Sequence, residues 1–375
     1  MTTTLLDQAR SLFDPIDRLA ATAVPGEPVS SEAFRLLADA GLVGLLVPEA
    51  AGGLELPLVE VADLYAEIAR ADGSTGWCFF VSDVCAMYFG AYLPDEGVAE
   101  VFADGVPAVA GQFFPNGTAR PDGDALIVDG DYQFGSGIVH ATWAGGGVMT
   151  VPGEEGNPEY LGVCFPQDQA ELLGNWDVLG LQATASYDYR VQDVRVPRSH
   201  TFDFLAPTVH RGSAVYSLGT VALTAMGHAA WALGVTRRVL DELASLAAGT
   251  TRMGASSSLA TSDRFLYELG VLESRYRSGR AWVYEVLAGA EATARREGTA
   301  ATDDGTLLRA ACRHVNQEGA DIARQAYLLA GTRALRAGPL QRAFRDLHAG
   351  AQHFYASPAH ATALATGVLA GHAEH

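Results

Sequence analysis

The spacing of apolar residues over the first hundred positions predicts three helices. Apolar side chains at positions 33, 36, 37 and 40 fall on one helical face, with Ser31 suited to cap this helix and Gly41 to end it. A second helix is predicted for residues 58–71 and a third, almost wholly apolar, for residues 76–92. A membrane-spanning helix needs about 20 apolar residues, and Asp83 interrupts this stretch. We therefore predict a buried core helix.

The hydrophobic period changes between about residues 105 and 205, where short apolar runs are separated by turn dipeptides. The run Leu126–Val128 is followed by Asp129 and Gly130, a pair typical of a tight hairpin turn. Further strands are predicted at 147–151, 160–165 and 189–196. No helical pattern of ten or more residues interrupts them, so the segment is predicted to be an all-β insert.

Long helical stripes return after Pro207. They span positions 218–249, 265–287 and 308–329, and Gly249 is expected to end the first. With a shorter helix at 358–371 they give four antiparallel helices, the pattern of an up-and-down bundle. The sequence thus predicts a mainly α fold with a central β domain. Its predicted parts are an N-terminal helical domain (1–105), a central β domain (106–207) and a C-terminal helical bundle (208–375).

Composition and charge narrow the classes of partner. The formal net charge is −19, which argues against a nucleic acid or an anionic membrane as partner because phosphate contacts need a local excess of Lys and Arg. Apolar residues make up 49% of the chain, as in globular proteins. The N-terminus lacks a basic start followed by an apolar run, and we expect no 18-residue apolar segment. These features predict a cytoplasmic protein.

General motifs for nucleotides, metals and hydrolases are missing. Positions 135–137 match only half of the dinucleotide motif GxGxxG, because position 140 is His. The four cysteines form no CxxC pair. His348 and His353 are five residues apart, which does not place them on one helical face, and His372 and His375 lie at the end of the sequence. No metal site is predicted. A Ser–His–Asp triad stays open, although GxSxG is absent.

A longer pattern resembles a known superfamily. Residues 176–186 read WDVLGLQATAS and residues 191–197 read VQDVRVP. This resembles the signature of the acyl-CoA dehydrogenase superfamily, in which a tryptophan-led stretch ending in T-x-S precedes a V-x-D-V-x-V-P strand. The stretch LVGLLVPEAAGG at 42–53 is similar to the early P-E-x-x-G-G pattern of that family. The resemblance covers essentially the whole chain and implies the same helical, β and bundle order.

Three further stretches resemble one branch of that superfamily, the two-component flavin-dependent monooxygenases. They are GQFFPNG at 111–117, DGDYQFGSGIVHATW at 129–143 and RDLHAGAQH at 345–353. Dehydrogenases of the superfamily usually carry a glutamate base in or near the last region. Residues 331–346 contain no glutamate, and Glu318 on the preceding helix is the nearest. The missing base weakens the dehydrogenase interpretation.

The resemblance implies an oxygenase component with a diffusible reduced cofactor, FADH2 or FMNH2. A separate NAD(P)H flavin reductase would supply it, and O2 would be the co-substrate. The implied reaction hydroxylates a small aromatic, heteroaromatic or amine substrate through a flavin C4a-hydroperoxide. A homotetramer is also implied, with the flavin site completed by a neighbouring subunit. Two other hypotheses stay open: an acyl-CoA dehydrogenase-like flavin oxidoreductase with an unrecognised base, and a non-catalytic flavin-binding or scaffold protein.

The resemblance also implies roles for individual residues. Ser136 is the candidate for bonding the flavin near N5, because a hydroxyl can donate or accept. His353 is the candidate for stabilising the peroxide and carrying a proton. Related phenol hydroxylases place a histidine on the helix after a Gly-Trp pair. The helix after Trp77 has none, which argues against a phenol substrate. Asp83 is the catalytic candidate there, with Ser82, Tyr88 or no base at all as the alternatives. Expected cofactor-binding residues are Gln112, Phe113, Ser136, Gly137, Trp176, Thr184 and Ser186, and expected substrate-binding residues are Trp77, Ser82, Tyr88 and Phe114.

The residues alone leave simpler interpretations open. Ser136 reads as a turn serine in a Gly-Ser-Gly loop, His353 as a capping histidine, and the aromatic residues as core. Arg345 and Asp346 are expected to form a structural ion pair.

Overall fold

The N-terminal third of the chain is helical. The computed structural model describes residues 4–24, 26–151, 157–248 and 258–373. Its first helices are α1 (Leu5–Ser11), α2 (Phe13–Thr22), α3 (Ser31–Asp39), α4 (Leu58–Ala71), α5 (Gly73–Tyr92) and α6 (Asp95–Val101). The second predicted helix, 58–71, is confirmed residue for residue as α4.

For two helices the capping residue differs from the one that the sequence pattern predicts, and it changes where the helix begins or what caps it. The hydroxyl of Ser30, not Ser31, accepts from the backbone N–H of Glu32 and so caps α3. The third helix starts at Gly73 rather than residue 76, because the Asp72 carboxylate accepts from the backbone N–H of Thr75 at 2.8 Å. This helix is buried along most of its length, as predicted.

The central segment is one seven-stranded sheet. Its strands are β1 (Val109–Asp122), β2 (Ala125–Gly135), β3 (Trp143–Thr150), β4 (Tyr160–Pro166), β5 (Glu171–Leu172), β6 (Tyr187–Pro197) and β7 (Thr201–Asp203). They are ordered β5-β6-β2-β1-β3-β4-β7. The β1/β3 pair is parallel and the other pairs are antiparallel.

The predicted hairpin turn at Asp129–Gly130 is wrong. These residues lie inside β2, and the turn is at the earlier Asp-Gly pair, where Asp122 pairs with Ala125. Gly123 has φ +61°, which a tight turn of this kind requires. A Cβ on Gly130 would meet the Tyr132 ring at 2.6 Å, so this glycine permits close packing instead of a turn.

The C-terminal part is a bundle of long helices. They are α7 (Gly219–Ala248), α8 (Asp263–Glu297), α9 (Thr302–Ala330), α10 (Pro339–Gly350) and α11 (Pro358–Ala373). Helix α10, which the sequence pattern does not predict, packs against both α7 and α9. Gly249 and His375, and the side chain of His372, lie outside the described residues. The fold class, mainly α with a central β domain, is confirmed.

Helix α7 is the buried centre of the bundle. Among the described residues, Ala214–Ala248 is one segment long and apolar enough to cross a membrane, contrary to the expectation that the sequence holds none. Burial explains its composition, because 78% of its most apolar window lies inside the protein, as in a soluble core helix.

Contacts between α10 and the β domain fix the loop that carries the signature. Asp346 Oδ1 accepts from the backbone N–H of Leu181 at 2.6 Å, and Arg345 Nη1 donates to Gln182 Oε1 at 3.2 Å. The expected Arg345–Asp346 ion pair is wrong within the described residues, because each side chain binds the 181–182 loop. Burial raises the pKa of Asp346 to about 7.

Candidate active site

A line of hydroxyl groups connects α5 to the signature loop. The indole Nε1–H of Trp77 donates to Ser136 Oγ at 3.0 Å. Ser136 Oγ lies 2.7 Å from Ser186 Oγ, which lies 2.7 Å from Thr184 Oγ1. Thr184 in turn donates to the carbonyl oxygen of Leu181 at 2.8 Å. Loop 181–186 and the turn directly after strand β2 therefore hold three buried hydroxyls against one indole.

The two ends of this line fix its direction. An indole N–H can only donate and a backbone carbonyl can only accept. Since Thr184 gives its proton to Leu181, Ser186 must donate to Thr184, and Ser136 must donate to Ser186. Ser136 also accepts a hydrogen bond from Trp77. One lone pair, which can accept one more hydrogen bond, is then left on its hydroxyl oxygen. In this arrangement the Ser136 hydroxyl offers only an acceptor, although a free hydroxyl could donate or accept.

This acceptor suits a reduced flavin. Reduced flavin carries a hydrogen on N5, whereas N5 of oxidised flavin is an acceptor without one. In the described part of the β domain, Gln112 Oε1 is a second buried acceptor without a hydrogen-bond partner. The buried acceptor on Ser136 fits a reduced flavin, and Ser136 would accept a hydrogen bond from one of its N–H groups, while Gln112 stays an expected cofactor-binding residue.

Four of the other expected cofactor-binding residues lie next to Ser136 or support the loop beside it: Thr184, Ser186, Gly137 and Trp176. The side chains of Thr184 and Ser186 are buried behind it, so their hydroxyls position Ser136. Gly137 follows with φ +72°. Trp176 donates from Nε1 to Leu181 O at 3.0 Å and supports the same loop.

Trp77 connects Ser136 to His353. While the indole N–H binds Ser136, the ring centroid of Trp77 lies 5.6 Å from that of His353, edge to face. The structure thus brings the two predicted catalytic residues to two sides of one tryptophan. They come from the end of β2 and the turn after α10, which are far apart in the sequence.

His353 is exposed on one side and flanked by aromatic rings on the other. Its ring stacks on Tyr355 at 5.3 Å between centroids, and its Nδ1 accepts from the Tyr355 backbone N–H at 3.4 Å. His353 therefore caps the turn that follows it, and it also lies beside Trp77. The surrounding protein desolvates the imidazole and lowers its pKa to about 4. His353 is therefore neutral at pH 7 and able to accept a proton.

Sequence reasoning missed a second imidazole beside Trp77. His228 of α7 is 1% exposed, and its ring lies 4.9 Å from the rings of both Trp77 and His353. Desolvation lowers its pKa well below the usual value. A signal was present in the sequence, because His228 is three residues after Ala225 and so lies on the apolar stripe of α7.

The expected substrate-binding residues are only partly brought together. Tyr88 lies on the same helix as Trp77, packs edge to face on Phe113 at 5.4 Å, and binds Thr220 O and the Thr224 hydroxyl. Phe113, an expected cofactor-binding residue, is buried in this aromatic cluster, where it packs on Tyr88, Phe202 and Phe204 rather than on Ser136.

Ser82 and Phe114 are placed differently. Ser82 Oγ accepts from the backbone N–H of Val109 at 3.1 Å, so it ties α5 to β1. Phe114 is 64% exposed, because successive side chains of a strand point to opposite faces and Phe113 takes the buried one. The structure does not bring Phe114 to Ser136 or His353.

Asp83 lies away from the other two catalytic candidates. Its Oδ2 accepts from the backbone N–H of Leu46 at 3.0 Å and from the Tyr65 hydroxyl, and so connects α5 to α4 and to the 44–46 loop. Burial raises its pKa to about 6. The contacts support a structural role for this carboxyl group.

Replacing Asp83 by alanine should therefore lower the free energy of unfolding by about 2–5 kcal/mol, because two buried donors lose their acceptor. Asp83→Asn keeps an acceptor oxygen and should cost less. Urea unfolding of both variants measures the difference. If Asp83→Ala kept wild-type stability but lost activity, the catalytic assignment would hold instead.

The nearest glutamate is not placed to act as a dehydrogenase base. Glu318 accepts from Arg275 Nε at 2.7 Å on the α8–α9 face of the bundle. In the parts of the chain that the structure describes, no three His, Cys, Asp or Glu side chains are grouped to hold a metal ion.

Two family models match the chain. The acyl-CoA dehydrogenase N-terminal domain matches residues 5–96, and the acyl-CoA dehydrogenase C-terminal domain matches residues 226–358. The second match contains His228 and His353, and the first contains Trp77 and Asp83.

Curated relatives cover most of the chain. An indole-3-acetate monooxygenase from Pseudomonas putida is 31% identical over 84% of this chain and 80% of its own length. The oxygenase subunit HsaA of a flavin-dependent monooxygenase from Rhodococcus jostii is 26% identical over 87% of each chain. Among solved structures, XiaF from Streptomyces in complex with FADH2 and glycerol superimposes with a TM-score of 0.83. It is 19% identical, covering 94% of this chain and 91% of its own, which shows a shared fold.

Proposed function

Because the chain belongs to the acyl-CoA dehydrogenase superfamily, on the branch of flavin-dependent monooxygenase oxygenase components, we propose that it hydroxylates a small aromatic, heteroaromatic or amine substrate. It is an enzyme that uses reduced flavin and O2. One oxygen atom enters the substrate as a hydroxyl group, the other leaves as water, and the reduced flavin supplies the two electrons. The observation that carries the proposal is the placement of Ser136 and His353 on two sides of Trp77.

Each residue has a definite part in this proposal. Ser136 accepts a hydrogen bond from the reduced flavin, and Trp77, Ser186 and Thr184 hold its hydroxyl in that orientation. His353 moves a proton near the transferred oxygen, and its neutral imidazole suits that role at pH 7. We propose a flavin C4a-hydroperoxide as the oxygen donor. Closely packed aromatic rings around Trp77 and Tyr88 would keep water from the reacting groups.

We also propose the partner and the compartment. An oxygenase component of a two-component system works with a separate flavin reductase. This reductase would use NAD(P)H, for which the chain has no motif of its own. Either FAD or FMN is compatible with the acceptors on Ser136 and Gln112. We propose a cytoplasmic location, with the reductase in the same compartment.

We predict a homotetramer, in which a neighbouring subunit completes the flavin site. Exposed apolar side chains on α11, Val368 and Leu369, favour burial against another copy of the chain. Sedimentation at micromolar concentration should give four times the chain mass. A monomer that still binds reduced flavin would contradict the prediction.

The test of the function is a single turnover with reduced flavin. Protein loaded anaerobically with FADH2 or FMNH2 is mixed with O2 and an aromatic substrate such as indole-3-acetate, and hydroxylated product and H2O2 are measured. Product would support the monooxygenase. A dehydrogenase should instead reduce tightly bound oxidised flavin with an acyl-CoA, and a non-catalytic flavin-binding protein should yield H2O2 without product.

A further inference from the structure

The histidine on α7 has a fixed tautomer. Asn316 Nδ2 donates one hydrogen to the carbonyl oxygen of Cys312 at 2.9 Å and lies 2.9 Å from His228 Nδ1. Turning the amide over would place its oxygen against the Cys312 carbonyl, two acceptors in contact, so the nitrogen must face them. Its second hydrogen therefore goes to His228 Nδ1. With Nδ1 as acceptor, the proton of the neutral ring is on Nε2.

This Nε2–H has no hydrogen-bond partner among the described residues, although it is buried. Helix α9 occupies the Nδ1 side of the ring, and Trp77, His353 and Tyr355 surround the rest, with centroids 4.9, 4.9 and 5.9 Å away. An unpaired buried donor is costly, and such groups in native proteins need a reason. The donor without a partner therefore lies among the rings of Trp77, His353 and Tyr355.

We propose that His228 is a further substrate-binding residue, whose Nε2–H donates a hydrogen bond to an acceptor atom of the aromatic substrate. Asn316 is the positioning residue that keeps this proton on Nε2. The proposal rests on the proposed function, since the bound substrate has to lie within reach of both the His228 donor and the flavin oxygen near His353. It also narrows the substrate class to aromatics that carry an oxygen or nitrogen acceptor.

The first test needs no ligand. Nitrogen-15 shifts of the histidine rings at pH 7 should show His228 as the neutral Nε2–H tautomer in the wild type. In Asn316→Leu the ring should lose this preference and populate Nδ1–H as well. A charged His228, or an Nδ1–H form in the wild type, would overturn the proposal.

The second test compares matched ligands that differ in one acceptor. The dissociation constants of p-hydroxyphenylacetate and phenylacetate, and of indole-3-acetate and 3-methylindole, are measured anaerobically with reduced FAD present. In the wild type, the member with the additional acceptor group, the phenol oxygen in the first pair or the carboxylate in the second, should bind about 10- to 100-fold more tightly in at least one pair. His228→Phe should remove most of that preference, and His228→Gln, which keeps an N–H donor, should restore part of it.

The outcomes separate a binding role from a structural one. If His228→Phe leaves the ratio of dissociation constants unchanged within both ligand pairs while its melting temperature falls, His228 is a core residue and the proposal fails. The proposal also fails if the wild type binds none of the four ligands. The proposed function is judged separately, by hydroxylated product in the single-turnover experiment, so the two can fail independently.

Discussion

His353→Ala should slow hydroxylation by about 10²–10⁴-fold and divert reduced flavin to H2O2, because a positioned proton carrier is lost. The neutral imidazole lies beside Trp77, and its lowered pKa of about 4 leaves it able to accept a proton at pH 7. Single-turnover mixing of the reduced-flavin complex with O2, followed by measurement of product and H2O2, gives both quantities. The binding of reduced flavin should change little.

A matched control is available on the preceding helix. His348 binds Phe344 O through Nδ1 at 2.7 Å and packs on the Phe344 ring, so His348→Ala should keep wild-type coupling. The pH dependence adds a second check. A group with an ordinary histidine pKa would lose its acceptor form below about pH 6.5, whereas His353 should keep it until the pH approaches 4. If His353→Ala kept the wild-type yield of product per reduced flavin and only its melting temperature fell, the role of His353 would be capping alone.

Ser136→Ala should weaken binding of reduced flavin by about 2- to 10-fold and lower coupling to product by about 10²-fold. The reason is the loss of the acceptor that the Trp77 and Ser186 contacts direct toward a flavin N–H group. Ser136→Thr keeps a hydroxyl and should recover part of both. Anaerobic titrations with reduced and oxidised flavin, with product yield per flavin, are the measurements.

Ser186→Ala tests the direction of the hydroxyl line. Without Ser186 as acceptor, the proton of Ser136 becomes free to donate to N5 of oxidised flavin. The preference for reduced over oxidised flavin should then become smaller, although Ser136 itself is intact. An unchanged preference in Ser186→Ala would show that Ser136 does not set it through this bond.

The sequence by itself determined the order of the helical, β and bundle segments, and the family. The periods of 3.6 and 2 are local properties of the chain, so the helix at 58–71 and the strands near 160 and 189 could be read directly. The local sequence pattern was least reliable where two similar turn signals occur close together. Both Asp-Gly pairs resemble hairpin turns, and only strand pairing shows that the turn is at Gly123 while Gly130 makes room for Tyr132.

Only the tertiary structure decided which polar groups share a site. Trp77 and Ser136 are 59 residues apart, and the direction of hydrogen bonding at Ser136 depends on partners from two other segments. Asp83, on the same helix as Trp77, faces α4 and the 44–46 loop, which its sequence position could not reveal. His228 enters the site because α7 and α10 pack together, and such contacts depend on packing between distant segments rather than on any local period.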